Sequence, residues 1–321
     1  MDSARSLLAA LAWLLAASAL VASLLAHGGR FSLKLDILTH AAPAYLVAAL
    51  VAVALSGMAP RGGRAVLAVV SLLGVAAAGA LILPEVVSRG RDPRAAADAP
   101  GQLKVIQFNA WGRNAKADEA IAWIVAQDPD VVVIEEAGRL RDKLIEQGFH
   151  TTCRSCGAVV FSRAKPISTF AEPAREGRPS YLASATFRDA RGEFTVAGVH
   201  RHWPIRFAKD RAQAESLDAY LRTLPKARLI VAGDFNSTPW SFARRRDDAA
   251  FGLIRRTRAL PTWPAAKVSH NRLPAPFPYL PIDHVYAGRG WATVNVERGP
   301  ELGSDHYPVV VTLAPAGPGP R

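Results

Sequence analysis

Cysteine is almost missing from this chain, with two in 321 residues. So small a number excludes the disulfide framework that holds compact secreted domains together. Both lie in Cys153-Arg154-Ser155-Cys156, and no second CxxC and no HxxxH accompanies them, which leaves a structural zinc site without its ligands. The pair is then either a disulfide, implying an oxidising compartment such as a periplasm, or two thiols. Serine nucleophile elbows and candidate cysteine nucleophiles are absent too, so covalent catalysis of that kind has no starting point. Charge is scarce in the first third: residues 1–95 hold eight of the 39 Lys+Arg and four of the 27 Asp+Glu. The remainder, with 31 basic and 23 acidic residues, carries a net charge of +8 and suits a polyanionic substrate or an anionic membrane surface.

Three long apolar runs fill the charge-poor third: Ser6 to His27, Ile37 to Gly57 and Ala65 to Leu83. Each approaches the ~20 residues that cross a bilayer as a helix. The first has an apolar core too long for a signal peptide, and two more follow it. Small residues abound in all three, as expected where helices approach closely in lipid. The sequence therefore predicts a membrane region over 1–85, with transmembrane helices at about 6–27, 37–57 and 65–83. Such a chain is a multi-pass protein of the cell membrane, with no obligate protein partner evident. Arg5, Arg61 and Arg64 flank one side; Arg30, Lys34, Arg89, Arg91 and Arg94 flank the other. Positive-inside counting leans toward a cytoplasmic placement of the remainder, a disulfide would pull the opposite way, and the side stays open. Residues 86–102 read as a linker, 103–313 as one soluble domain and 314–321 as a flexible tail.

Within the soluble domain, apolar strand-like runs repeatedly end in polar residues. Leu103 to Phe108 delivers Asn109, and Val131 to Ile134 delivers Glu135 and Glu136. Neighbours on a strand face opposite ways, so only one of those two acids enters a site. Gly157 to Arg163 is a further strand, and Tyr181 to Phe187 pairs with Glu193 to Val199 as a hairpin that ends in His200. Helical spacing covers Lys116 to Gln127 and Arg211 to Leu224. The central run, Leu229 to Gly233, leads into Asp234-Phe235-Asn236, and alternation aims Asp234 and Asn236 to one side. Pro281-Ile282-Asp283-His284 and Gly303-Ser304-Asp305-His306 complete the series. Core packing accounts for one such polar strand end, not for six. They point to one shared site.

Carboxylates and amides suit a hard cation such as Mg²⁺ or Mn²⁺. A histidine beside an acid serves as general base, and amides with a second histidine donate to phosphate oxygens as charge develops. The inventory fits metal-assisted hydrolysis of a phosphoester by activated water.

The ordered set Asn109, "IEE" at 134–136, "GDFN" at 233–236, "IDHV" at 282–285 and "GSDH" at 303–306 resembles the endonuclease/exonuclease/phosphatase superfamily, deoxyribonuclease I-like, over about residues 103–313. The resemblance implies an α/β fold, a two-sheet α/β sandwich with the site at one rim, here preceded by three transmembrane helices. It further implies Asn109, Glu136 and Asp305 on the metal side. It implies His200, Asp234, Asn236, Asp283 and His306 as the catalytic set, with Asp283 orienting His306 and Asp234 orienting the attacking water or stabilising the leaving group. His284 falls to structural support. Glu135 stands where the family commonly has glutamine, and His202-Trp203-Pro204 is similar to a subgroup of bacterial membrane-tethered members.

The function expected is a membrane-anchored phosphoesterase dependent on Mg²⁺ or Mn²⁺ that hydrolyses phosphodiester bonds. Nucleic acid is one substrate class, favoured by the basic domain and by Arg244, Arg245, Arg246, Arg255 and Arg256, which read alternatively as a solvated helix face. A phospholipid headgroup or inositol phosphate is the second, with Trp203, Trp240 and Trp263 as interface contacts or core residues. A catalytically silent binding module on the membrane is the third.

Overall fold

A computed structural model describes residues 2–88, 92–173, 180–265 and 275–317. The chain divides into two compact units, Met1–Gly90 with Ser237–Arg246, and Arg91–Asn236 with Asp247–Arg321.

The first unit is built on helices α1 (Asp2–His27), α2 (Leu33–Asp36), α3 (Ala42–Leu55) and α4 (Arg61–Ser88), with 3-10 turns at Gly28–Arg30, Ile37–Ala41 and Ser56–Met58. The stretches Ser3–Arg30, Leu33–Met58 and Arg61–Ser88 are long and apolar enough to cross a membrane. Pro43 falls in the first turn of α3, where its missing N–H costs no helical bond. The helices meet through small side chains: Ala9, Ala12, Ala16, Ala52 and Ala59 cluster around Leu67. Leu7, Leu14, Leu50 and Val66 face outward, the inverse of a water-soluble helix.

Residues Ser237–Arg246, which the sequence reading places wholly in the soluble domain, cluster with these helices. The carboxylate of the buried Asp36 accepts the Phe242 amide at 2.8 Å and the Ala243 amide at 2.7 Å. It thereby caps the helix that begins at Phe242, where amide donors lack intrahelical partners. Arg245 lies over the Phe242 ring and donates to the carbonyl of Leu81. A polar run such as Ser-Phe-Ala-Arg-Arg-Arg carries no hydropathy signal that would announce this packing.

The second unit is a sandwich of two six-stranded sheets. Its strands are β1 (Leu103–Asn109), β2 (Val131–Glu135), β3 (His150–Thr151), β4 (Ala158–Ser162), β5 (Ser168–Ala171), β6 (Leu182–Asp189), β7 (Gly192–His200), β8 (Leu229–Asp234), β9 (Ile254–Arg255), β10 (Asp283–Ala287), β11 (Trp291–Arg298) and β12 (Val309–Pro315). One sheet has the order β11-β12-β1-β2-β4-β3, the other β5-β6-β7-β8-β10-β9. Helices α5 (Ala117–Ala126), α6 (Leu140–Glu146), α7 (Phe207–Arg222) and α8 (Phe242–Phe251) complete the chain.

Two-residue alternation explains the layers. Val105, Val131, Val133 and Val160 meet Ala185, Val196, Ile230, Ala232 and Val285 between the sheets. Their neighbours Ile106, Phe108, Val132, Ile134 and Phe161 face outward against Ile121 and Ile124 of α5 and Leu140 and Leu144 of α6. On the far side Ala197, Val199, Leu229 and Val231 pack on Leu217 and Leu221 of α7. Strands buried on both faces read as continuous apolar runs, and these do.

The expected linker is pinned near its middle. Arg94 bridges to Thr293, Thr293 donates to the Pro93 carbonyl at 2.8 Å, and Arg258 pairs with Asp92. Residues 89–91, and with them Arg89 and Arg91, lie outside the described residues. Strand β12 runs on to Pro315, past the expected start of the tail. The cysteines form a Cys153–Cys156 disulfide.

Candidate active site

Register brings the polar strand ends to one rim. Asn109 of β1 stands beside Glu135 of the parallel β2, and His200 of β7 beside Asp234 of the parallel β8. Strand β10 runs antiparallel to β8, so it contributes its first residue, Asp283, directly opposite Asp234. Strand β12 runs antiparallel to β1, so the turn before it carries Asp305 and His306 to the same rim. Ser304 fixes that turn by donating to the Asn109 carbonyl at 2.6 Å. Gly303 has φ +77°, and a Cβ there would lie 2.4 Å from Asn114 Oδ1; no other residue fits that backbone at that distance. Gly233 is as constrained, because a Cβ would lie 1.8 Å from the Val199 carbonyl oxygen.

Asp234 is the hub. Its Oδ2 accepts Asn109 Nδ2 at 3.0 Å and Asn236 Nδ2 at 3.1 Å, and its Oδ1 accepts the Asn236 amide at 2.8 Å. His306 Nε2 stands 3.7 Å and His200 Nε2 3.8 Å from the same Oδ2. Asn236 sits at φ 50° and Glu136 at φ 49°, a left-handed backbone uncommon outside glycine and concentrated at functional sites. His306 Nδ1 lies 2.8 Å from Asp283 Oδ2, which also accepts the Thr262 hydroxyl at 2.5 Å. His200 Nε2 lies 3.9 Å from Glu136 Oε1, and the Tyr181 ring packs edge-on against its imidazole.

Burial and neighbouring charge set the protonation pattern. Burial lowers His200 to about 4 despite the Glu136 carboxylate, so it is neutral at pH 7. Burial opposes charge on His306 as well, but the carboxylates of Asp283 and Asp234 outweigh it and hold the imidazole up at about 10. Asp234 is raised to about 7, by burial first and by Asp283 in part, against the pull of His306. Glu135 is raised well above the ordinary carboxyl range by burial and then by Asp283.

All eight residues singled out from the sequence are at this rim or on the turns that form it, and they divide into groups. Asn109, Asp234, Asn236, Asp283 and His306 join one hydrogen-bonded network. His200 faces the hub without a hydrogen bond to it. Glu136 is open to solvent beside His200. Asp305 accepts Trp263 Nε1 at 3.3 Å. Among the described residues, Asp234, Asp283 and His306 form a group of three whose ligand atoms all lie within 4.8 Å of one another. Those two carboxylates already accept three hydrogen bonds each. Glu136 is the acid whose oxygens remain open, and oxygen donors of this kind fit a hard divalent ion.

Gln107 escaped the sequence reading. Its Nε2 donates to Glu135 Oε2 at 2.7 Å and to Asp283 Oδ1 at 2.9 Å, tying two buried acids together behind the rim. A polar residue in the middle of an otherwise apolar strand was the available signal. Thr262 escaped for lack of any pattern. The arginines need correcting: Arg244, Arg255 and Arg256 are buried, neither a nucleic-acid surface nor a solvated helix face. Arg255 donates to Asp248, and Arg256 donates to Thr293 and to the carbonyls of Gly288 and Trp291. Arg246 alone of the five is exposed. Trp240 is buried, while Trp203 is part-exposed and packs on Trp263.

The sequence profile of the Endonuclease/Exonuclease/phosphatase family matches residues 106–306, a span that includes all eight predicted site residues. The chain belongs to that family. Endonuclease/exonuclease/phosphatase proteins are hydrolases that act on phosphoester bonds and generally use divalent metals. Solved structures agree on the fold. A family protein from Leptotrichia buccalis is 15% identical with a TM-score of 0.54, over 66% of this chain and 99% of its own. One from Beutenbergia cavernae is 21% identical with a TM-score of 0.50, over 67% and 72%. The human Nocturnin catalytic domain, solved with a bound sulfate anion, is 15% identical with a TM-score of 0.50, over 67% and 94%. No curated protein matches the sequence.

Proposed function

We propose that this chain is a membrane-anchored, divalent-metal-dependent phosphoesterase that hydrolyses phosphodiester bonds. One observation carries the reading: two imidazole Nε2 atoms and two side-chain amides converge on Asp234 Oδ2, between 3.0 and 3.8 Å away. A carboxylate so placed takes a proton from water as its oxygen attacks phosphorus. His306, held by Asp283, donates to a phosphoryl oxygen, while Asn109 and Asn236 orient the phosphate. His200 is the neutral imidazole beside the site. The ester P–O bond breaks, and the leaving oxygen takes up the proton that Asp234 accepted. Glu136, with Asn109 and Asp305, would hold Mg²⁺ or Mn²⁺. When bound, the ion neutralises phosphate charge.

A phospholipid or inositol-phosphate headgroup is the second substrate reading, supported by the three apolar helices; with Arg244, Arg255 and Arg256 buried, the arginine argument for nucleic acid falls away.

The test uses the full chain in neutral detergent with Mg²⁺ or Mn²⁺, wild type beside Asp234→Asn and His306→Ala. Plasmid DNA, RNA, sphingomyelin and an inositol phosphate are offered to each. Cleavage of one class by wild type, lost in both variants and in chelator, is expected. Equal turnover by folded Asp234→Asn would sink the assigned site. No turnover at all by a metal-binding wild type would favour the silent module.

A further inference from the structure

At one end of the apolar helices, Arg5, Ser6 and Ala9 of α1 meet Met58, Pro60, Arg61 and Arg64 around a cavity of about 570 Å³. That is the size of a small-molecule site. Three arginines line it, and a guanidinium carries five N–H donors. Arg5 uses its Nε on the Met58 carbonyl and Arg64 an N–H on that of Ala59. Among the described residues, none of the three pairs with a carboxylate.

The backbone adds to this positive potential. Helix α4, 28 residues long, starts at Arg61, and a helix start attracts anions through its free amides and its dipole. Gly63 and Arg64 donate to the Pro60 carbonyl, which leaves the Arg61 and Gly62 amides at the open first turn. Gly62 has no side chain to cover them, and nothing lies within 4 Å of where its Cβ would be.

One wall of the cavity is apolar, formed by Ala9, Met58 and Pro60. Beyond it α1 and α4 expose Leu7, Leu11, Val66 and Val69. Arginines that merely mark a membrane edge need no shared cavity, no helix start and no apolar wall. A ligand with an anionic head and an apolar body uses all three.

We propose that this cavity binds the phosphate of an anionic phospholipid headgroup. The inference is independent of the reaction at the rim of the sandwich. Basic pockets between membrane helices favour anionic lipids, with each arginine near the surface contributing roughly fivefold in affinity.

The experiment is native mass spectrometry of the full chain in neutral detergent, titrated with phosphatidylglycerol or phosphatidylcholine, with and without inorganic phosphate. Phosphatidylglycerol is expected to bind more tightly and to resist millimolar phosphate. The triple variant Arg5→Gln, Arg61→Gln, Arg64→Gln is expected to lose about 100-fold, and the control Lys34→Gln none. If the triple variant does not fold, Arg61→Gln alone reads the site, with an expected loss of about fivefold. Equal binding of the two lipids, or unchanged binding by a folded variant, would overturn the proposal. Displacement by inorganic phosphate at equal concentration would also overturn it, assigning the cavity to a soluble anion.

Discussion

Asp283 stands directly opposite Asp234 across the antiparallel β8–β10 pair, and His306 spans the two, 2.8 Å from the first and 3.7 Å from the second. Two buried carboxylates at adjacent backbone positions repel unless a cation lies between them, and the imidazolium is that cation. Asp283→Asn keeps the shape and removes the charge. We expect kcat to fall by ~10²–10⁴ with little change in KM, the loss typical of a disabled acid–base group. Steady-state kinetics on the cleaved substrate decide it, and an unchanged kcat would take Asp283 out of the site.

Asp36→Ala removes the cap on α8. The expected cost is about 1 kcal/mol, within the range of cap deletions. Hydrogen exchange at the Phe242 and Ala243 amides, which Asp36 accepts, is expected to rise sharply in this variant. Protection equal to wild type would show that the cap is dispensable.

Arg256 is buried, and burial lowers its guanidinium to about 10. It is a structural cation, donating to Thr293 and to the carbonyls of Gly288 and Trp291. Arg256→Lys loses the fork that reaches all three, at a cost on the order of 2–3 kcal/mol. A lowered melting temperature with unchanged substrate affinity at low temperature is the expected result. Weakened affinity at full stability would return Arg256 to the substrate surface.

The Cys153–Cys156 disulfide closes a short loop. Chain-entropy arithmetic gives it about 2 kcal/mol, and such a bond persists only where the compartment is oxidising. Maleimide is expected to label neither cysteine in freshly isolated membranes until a reductant is added. Immediate labelling would put the sandwich on the reducing side.

Asp189 is held below the ordinary carboxyl range by its hydrogen bonds from Arg228, against the opposing effect of burial. A depressed carboxyl stabilises the fold above its unfolded pKa of 3.8, and that contribution is lost as pH falls through the folded value. Asp189→Asn should therefore melt below wild type at neutral pH and alongside it in strong acid. A gap that persists in acid would mean the pair acts through packing.

The sandwich was legible because its strands are buried on both faces. Val131 to Ile134 and Leu229 to Ala232 have no polar residue to confuse the reading, and each stops at an acid. Asn109 and Asp234 were legible because a polar residue that ends an apolar run is conspicuous, and Asp283 and His306 because each stands just at or before the start of one. Gln107 was not, since nothing local says which buried acid a mid-strand amide will meet. The buried arginines were misread because sequence gives charge but not burial, and Arg256 finds its acceptors 31 to 37 positions away. Short edge strands such as β3 and β9, two residues each, are too brief to leave a period.

The ten residues after Asn236 have a consequence for anyone wishing to isolate the sandwich. Cut away at Gly90, the chain would keep Trp240 and Phe242, buried in the intact protein, but not Asp36 or Leu81, which hold that stretch. A soluble fragment would therefore carry an unpaired helix start and two bare aromatic rings within six positions of Asn236. A water-soluble version would have to supply a substitute for Asp36 and Leu81.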